Sequence, residues 1–356
     1  MTITLCMIVK NEEEVLARCL DSVKTCVDEI IVVDTGSTDA TQKIASSYTD
    51  KIFSFDWIND FAAARNFSFE KATGDYIIWL DADDFVSEEN QARLLALKKT
   101  LETERPDMVY CPYDVAFDGQ GNAVSTYFRE RLLRRESNFF WQGRVHECIS
   151  PRGKIMYDDF RVFHLGSKKD RSDRNLDLYR KWTEEEPLGP RDKFYYGREL
   201  YYHRLYTEAI AVLEEMLAGD GWYVNKIEAC KILSFCHAQR GNAEKALEAL
   251  FQSFCYGEPR ASVLCEIANL FKAQNRWAEA VFWYKGALLC RDHAAEGDFE
   301  EPNCRALTPL LELTYCCFQL GQNEKAVAYH QAAEGIAPNN PAVIYNRNYF
   351  KSSGLL

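Results

Sequence analysis

The sequence predicts an α/β domain with a mostly parallel, Rossmann-like sheet, followed by an all-α domain of helical repeats. Over residues 1 to about 110, short apolar runs alternate with amphipathic stretches. After about Asp170 every strong signal is helical, and that half of the chain repeats itself. Strand–helix alternation specifies a parallel sheet, and a repeat period near 34 residues specifies stacked helical hairpins.

"TITLCMIV" is a β-branched, apolar first strand. "NEEEVLARCLDSVKTC" places Val15, Leu16, Cys19, Leu20 and Val23 at helical spacing. "DEIIVVDT" is a second buried strand, "STDATQKIASSY" a helix, "KIFSFDW" a short strand and "FAAARNFSFEKA" a helix. "DYIIWLDADD" is a further strand, and "SEENQARLLALKKTLE" is a helix capped by Ser87, with Asn90 in its first turn. From Met108 the pattern changes. "DMVYCPYDVAFD" and "RVFHLG" read as strands, while "RLLRRESNFFWQGRVHECI" mixes short strands and turns, the partly antiparallel close of the same domain.

The helical half shares one frame. Gly197, Ser234, Ala268 and Thr314 are each followed twelve positions later by an alanine: Ala209, Ala246, Ala280 and Ala326. These alanines lie 37, 34 and 46 apart, the last gap holding an insertion, "RDHAAEGDFEEPN", expected as an exposed loop. Small residues at helix crossings with this period resemble tetratricopeptide repeats; a generic helical bundle is the plainer alternative. The expected division is 1–169, a linker helix over 170–191, and repeats over 192–356.

At 356 residues the chain has room for two domains, and 47% apolar content is ordinary for a globular protein. A net charge of −12 argues against non-specific nucleic-acid binding, though an anionic nucleotide could still bind through a metal ion. The N-terminal apolar run has no basic segment before it and is too short for a signal peptide or a span. No segment reaches the ~18 apolar residues of a membrane helix. Thirteen cysteines without a CxxC pair fit a reduced, cytoplasmic chain better than a disulfide framework or a zinc site.

Chemistry is expected at the carboxyl ends of the parallel strands. Asp34 ends "EIIVVD" and leads into "TGSTDAT", a turn that could bind the uracil or ribose of a nucleotide; a plain strand-to-helix turn capped by Ser37 or Thr38 reads as well. Neither GxGxxG nor GxxxxGK[ST] is present, so dinucleotide and P-loop readings lose their main support. In "LDADD", alternation would set Asp81 and Asp83 on one side if the strand continued, and a hard divalent cation relieves the repulsion between such acids. Solvated acids beside a helix cap are the plainer alternative.

His146, Glu147 and His164 fall in the segment that must close the pocket, which holds two of only six histidines. A lone histidine is more often structural. Glu147 is a candidate general base, and His164 a candidate metal ligand or diphosphate contact. Arg65 could pair with phosphates through its fork or form an ordinary surface salt bridge.

"TLCMIVKNEE", "EIIVVDTGSTDAT", "DFAAARN", "GDYIIWLDADD", "GRVHE" and "FHLG", in this order over about residues 1–170, resemble the motifs of family 2 glycosyltransferases with the GT-A fold. The "GxVHE" pattern and helical tail are similar to a subgroup of bacteriocin peptide S-glycosyltransferases and lipopolysaccharide-core glucosyltransferases. The resemblance implies that Val9, Asn11 and Glu12 line the nucleotide pocket, and that Asp34 meets the uracil or ribose. It places Arg65 against the base or diphosphate and counts His146 with the donor site. It makes Asp81 the ribose or sugar contact, Asp83 the direct ligand of Mg²⁺ or Mn²⁺, and brings His164 to the metal or diphosphate. Lys10 stands where many members have Tyr, which changes stacking near the base but not the fold.

The implied reaction is inverting transfer of glucose or an N-acetylhexosamine from a UDP-sugar to a peptide, protein or glycan, with Glu147 as base. The repeats would hold that acceptor or form a homodimer. Two other readings are a non-catalytic scaffold with a degenerate transferase domain and a sugar nucleotidyltransferase. The second needs a glycine-rich loop after the first strand, where "VKNEEE" has no glycine.

Overall fold

The computed structural model describes residues 1–117, 123–166, 173–292 and 302–356. The chain divides into two compact units, Met1–Leu178 and Tyr179–Leu356.

The first unit begins β1 (Ile3–Val9), α1 (Leu16–Val23), β2 (Glu29–Asp34), α2 (Thr41–Ala45), β3 (Ile52–Ser54), α3 (Phe61–Glu70) and β4 (Tyr76–Trp79). It continues with β5 (Asp84–Phe85), α4 (Glu88–Glu104), β6 (Met108–Phe117) and β7 (Ala123–Arg134). The hairpin β8 (Trp141–Gln142) and β9 (Cys148–Ile149) and the strands β10 (Ile155–Tyr157) and β11 (Val162–His164) complete it. The main sheet runs β3-β2-β1-β4-β7-β6-β11-β5, with β10 also on β6. Strands β3, β2, β1 and β4 are parallel, and β7 is antiparallel to both β4 and β6. This is the mostly parallel α/β domain the sequence predicts.

β1 reads as a continuous apolar run because it is covered on both faces. Ile3, Leu5 and Met7 pack with Leu16, Leu20, Ile78 and Leu94, while Cys6 faces the opposite way toward Ile31, Val33, Phe69, Trp79 and Trp141. The two cores lie on either side of one sheet, as the period-2 alternation of a strand requires.

Three local expectations differ from the structure. The first helix starts at Leu16 rather than near Asn11, because Asn11 takes a left-handed φ of 55° and the Glu12 carbonyl receives the first helical N–H groups, from Val15 and Leu16. The β4 strand stops at Trp79, and Asp81–Asp84 is a turn closed by Asp84 N–H to the Asp81 carbonyl at 3.0 Å. Asp81 and Asp83 are therefore not alternate residues of one strand. Finally, β7 is a single twelve-residue strand whose last four residues, Arg131–Arg134, open the stretch read as short strands and turns. Its inner end carries buried Glu130 and Arg131, charges that hide a strand from a hydrophobic reading.

In the second unit, α5 (Arg174–Glu185) crosses the boundary between the units, and α6 (Pro190–Tyr202) starts on a proline at its first turn. Residues 170–172 of the expected linker helix, and most of the expected insertion loop at 291–303, lie outside the described residues. The hairpins that follow are α6 with α7 (Tyr206–Ala218), α8 (Tyr223–Gln239) with α9 (Ala243–Gln252), α10 (Ala261–Ala273) with α11 (Trp277–Ala287), and α12 (Leu307–Gln319) with α13 (Asn323–Ile336), then α14 (Pro341–Ser352). All eight small residues of the repeat frame are buried, the four alanines completely. At Gly197 an added Cβ would run into the Leu213 side chain, so the α6–α7 crossing leaves no room for it. Ala280→Leu is expected to destabilise this unit by about 1–3 kcal/mol through overpacking, read as a lower urea midpoint.

Buried His330, in α13, packs its ring on Phe350 with neither ring nitrogen hydrogen-bonded. Burial pushes its pKa down against the opposing pull of Glu334, and His237 in α8 is also lowered by burial. A histidine whose folded pKa lies below its unfolded value penalises folding as pH falls. Stability of the helical unit is therefore expected to drop below about pH 6.5. Urea midpoints at pH 7.5 and 5.5 measure the drop, and His330→Leu should flatten it.

None of the thirteen cysteines forms a disulfide, and most are buried. No helix among the described residues is long and apolar enough to cross a membrane.

Candidate active site

The parallel register brings Val9 opposite Asp34, and Cys6 opposite Trp79, so the carboxyl ends of β1, β2 and β4 share one edge. At that edge Asp34 is buried, and its Oδ1 accepts the N–H groups of Gly36 and Ser37 at 2.7 and 2.8 Å. Gly36 has a φ of 99°, a conformation that favours glycine. Asp34 Oδ2 is buried without a hydrogen-bond partner, an acceptor facing no donor of its own chain. Burying such an oxygen is costly unless a donor meets it.

The end of β1 is tied to the same turn. The Val9 carbonyl accepts from Thr35 N–H at 3.0 Å, Asn11 Oδ1 accepts from Thr38 N–H at 2.7 Å, and Glu12 N–H donates to Thr41 Oγ1 at 2.6 Å. Val9, Asn11 and Glu12 thus frame the Asp34 turn.

The turn after β4 sends its three acids in different directions. Asp81 Oδ1 accepts from Arg65 Nη2 at 2.7 Å. Burial would raise the Asp81 pKa, but Arg65 and then Arg131 hold it well below the ordinary carboxylate range. Asp83 faces His164, with Nδ1 at 3.5 Å; burial, reinforced by Asp81 and Asp84, raises its pKa against the pull of the imidazole. Asp84 is fully buried, with Oδ1 2.8 Å from the Tyr113 hydroxyl and 3.3 Å from His164 Nδ1, and Oδ2 3.3 Å from Arg131 Nη1. The bond to Asp84 and the nearby acids raise the His164 pKa. One ligand atom each from Asp83, Asp84 and His164 falls within 4.8 Å of the others. Two carboxylates and an imidazole suit a divalent cation such as Mn²⁺ or Mg²⁺. Asp84, beside the two acids that the sequence singles out, belongs to this cluster.

Arg65, on α3, is not a surface residue. Its side chain is 10% exposed and forks between Asp81 and Glu147, with Nε 2.6 Å from Glu147 Oε1. The guanidinium also lies 5.1 Å from the ring of Trp79 and 4.9 Å from that of Trp141. Burial alone would lower its pKa, but Asp81 and Glu147 more than reverse that. Glu147 is 12% exposed and sits in the β8–β9 connection, beside half-buried His146 with a left-handed φ of 52°.

Two residues were not legible in the sequence. Val109 pairs with Leu132 and Tyr110 with Glu130, so Arg131 is the extra residue of a β-bulge. The bulge aims its fully buried guanidinium at Asp84 and the Trp79 carbonyl, between the rings of Trp79 and Tyr113. Tyr113 in turn joins Asp84 to His164. Arginines at 129, 131, 134 and 135 look alike in the sequence, and only the bulge distinguishes one of them.

Against known proteins, residues 4–161 match the glycosyl transferase family 2 model. Residues 4–161 belong to glycosyltransferase family 2. The chain is 32% identical to the glycosyltransferase SunS of Bacillus subtilis over 256 residues, 68% of this chain and 60% of SunS. It is 39% identical over 152 residues to a TPR repeat-containing protein of Synechococcus elongatus, 41% of this chain and 35% of that one. The lipopolysaccharide core biosynthesis glycosyltransferase LpsC of Rhizobium meliloti is 29% identical over 153 residues, 41% of this chain and 56% of LpsC. The chain thus spans less than two thirds of the length of the curated relatives it matches. Among solved structures, S. aureus TarS 1–349 in complex with UDP-GlcNAc is similar with a TM-score of 0.39 and 13% identity, over 85% of this chain and 93% of that one. The residues that match the family 2 model form most of the sheet domain, and the tetratricopeptide-like hairpins follow it.

Proposed function

We propose that the protein is a metal-dependent, inverting glycosyltransferase that moves a sugar from a UDP-sugar, of glucose or N-acetylhexosamine type, to a peptide, protein or glycan acceptor. The observation that carries the reading is the cluster of Asp83, Asp84 and His164, set at the strand edge of a family 2 domain.

Asp34 offers its free buried oxygen to the uracil or ribose, with Val9, Asn11 and Glu12 framing that end of the pocket. Asp81 faces the ribose or sugar, and His146 belongs to the donor side. Asp83, Asp84 and His164 would hold Mg²⁺ or Mn²⁺. Such an ion, when bound, offsets the diphosphate charge and stabilises the leaving group. Glu147 takes the proton of the acceptor hydroxyl or thiol. The acceptor atom bonds to C1 from the face opposite the diphosphate, and the C1–O bond breaks with its electron pair kept by the phosphate oxygen. The configuration at C1 inverts. The helical unit is proposed to bind the acceptor, a role that deletion of residues 190–356 tests through transfer to the native acceptor.

A ligand that binds only the folded protein raises its melting temperature, by about 2.7 kcal/mol of stability at a hundredfold excess over Kd. With Mn²⁺, UDP-glucose, UDP-GlcNAc or UDP-galactose is expected to raise it, and GDP- and dTDP-sugars are not. Absence of a shift with every nucleotide sugar would overturn the reading.

A further inference from the structure

Glu147 lies on a short hairpin whose strands β8 and β9 pair only through Trp141 with Ile149 and Gln142 with Cys148. A two-stranded ribbon is marginal by itself, so something must hold it. Helix α3 does so at three points. The Phe61 N–H, one of the helix's unpaired N-terminal donors, bonds the Arg144 carbonyl at 2.9 Å. Arg65 bonds the Glu147 carboxylate, and its guanidinium faces the Trp141 ring. Asn66 Nδ2 donates to the Trp141 carbonyl at 3.0 Å, and Asn66 Oδ1 accepts the Trp141 N–H at 2.8 Å.

That last pair uses both backbone groups of one strand residue. The Asn66 side-chain amide thus takes the place of a neighbouring strand along the free edge of β8. The Trp141 ring below it packs edge-on against Trp79, 4.8 Å between centroids, at the end of the strand that leads to Asp81. The backbone, the ring and the carboxylate of the hairpin are therefore all referred to α3, whose start is fixed by the Asp60 cap on Ala63 N–H.

We infer that Asn66 is a positioning residue. Its amide clasps Trp141 and so sets where Glu147 stands relative to the donor. This rests on the reading of Glu147 as the base. Asn66 itself is given contact with neither substrate, and its loss should lower turnover without weakening the donor. A displacement near 1 Å at a reacting group can cost about 10²-fold in rate.

The experiment compares wild type, Asn66→Ala and Asn66→Asp. Amide exchange of residues 141–149, the UDP-induced melting shift with Mn²⁺, and UDP release from UDP-glucose, UDP-GlcNAc and UDP-galactose are measured on each. Asn66→Ala is expected to speed exchange at Trp141 and its hairpin at least tenfold, leave exchange in β1 and β2 and the UDP shift unchanged, and lower UDP release about 10²-fold. Asn66→Asp, which keeps the acceptor for the Trp141 N–H, should fall between, and carries the test if the alanine variant does not fold. Wild-type release from an Asn66 variant with a loosened hairpin overturns the inference, as does a loss of release that tracks loss of UDP affinity. A wild-type protein that binds UDP and releases none from UDP-glucose, UDP-GlcNAc or UDP-galactose overturns instead the transferase reading.

Discussion

Asp83→Ala is expected to abolish the Mn²⁺-dependent part of the UDP melting shift and to lower transfer by about 10²–10³-fold, the cost of removing one element of leaving-group stabilisation. Of the cluster, Asp83 is the acid with the least structural work. Asp84 is engaged by Tyr113, Arg131 and the Asp81 N–H, whereas the side-chain partner of Asp83 is His164 at 3.5 Å. The variant should therefore fold. Melting curves with UDP, with and without Mn²⁺, decide the matter. A retained metal-dependent shift would remove Asp83 from the ligand set. The same experiment on His164→Ala should weaken the shift with less effect, since an imidazole is the softer of the donors for a hard cation.

Arg131→Met carries the largest expected effect on stability, a loss of about 3–5 kcal/mol, because it leaves the buried Asp84 carboxylate without its counter-charge. Arg131 and Asp84 are both fully buried, and Asp84 also fixes the Asp81 N–H and the Tyr113 hydroxyl. Urea unfolding of the full chain should show the first unit's transition moving to lower denaturant while that of the helical unit stays. Combining Arg131→Met with Asp84→Asn should recover part of the loss, since the residues are in contact and their effects are not additive. Full additivity would show that the pair is not coupled and that Arg131 acts only through its packing on Trp79 and Tyr113.

Legibility in the sequence followed the range of the interaction. The strand-end acids, Ser87 as a cap and the small residues of the repeats are set by local period, and the structure places each at the expected kind of position. Partners were harder to read. Arg65 has the motif "DFAAARN" around it, but its ion pairs reach 16 and 82 residues along the chain, to Asp81 and Glu147. Asn66 closes the same motif, but nothing in the sequence pairs its amide with the backbone of Trp141, 75 residues along the chain. β7 was obscured because its inner end buries charge, Glu130 against Arg129 and Arg131 against Asp84, so the apolar alternation fails where the site begins.

By itself the sequence determined the two kinds of architecture, the strand edge where chemistry gathers and the family 2 character of the first domain. These rest on hydrophobic period and short contiguous motifs, which a chain carries in its local order. Tertiary structure alone decided how the acids after Trp79 are divided, Asp81 to Arg65, Asp83 to His164 and Asp84 to Arg131. A turn at Asp81–Asp84, rather than a continued strand, and a bulge at Arg131 set those partners. Both depend on where distant backbone hydrogen bonds stop, and electrostatic pairing follows distance in space rather than order along the chain.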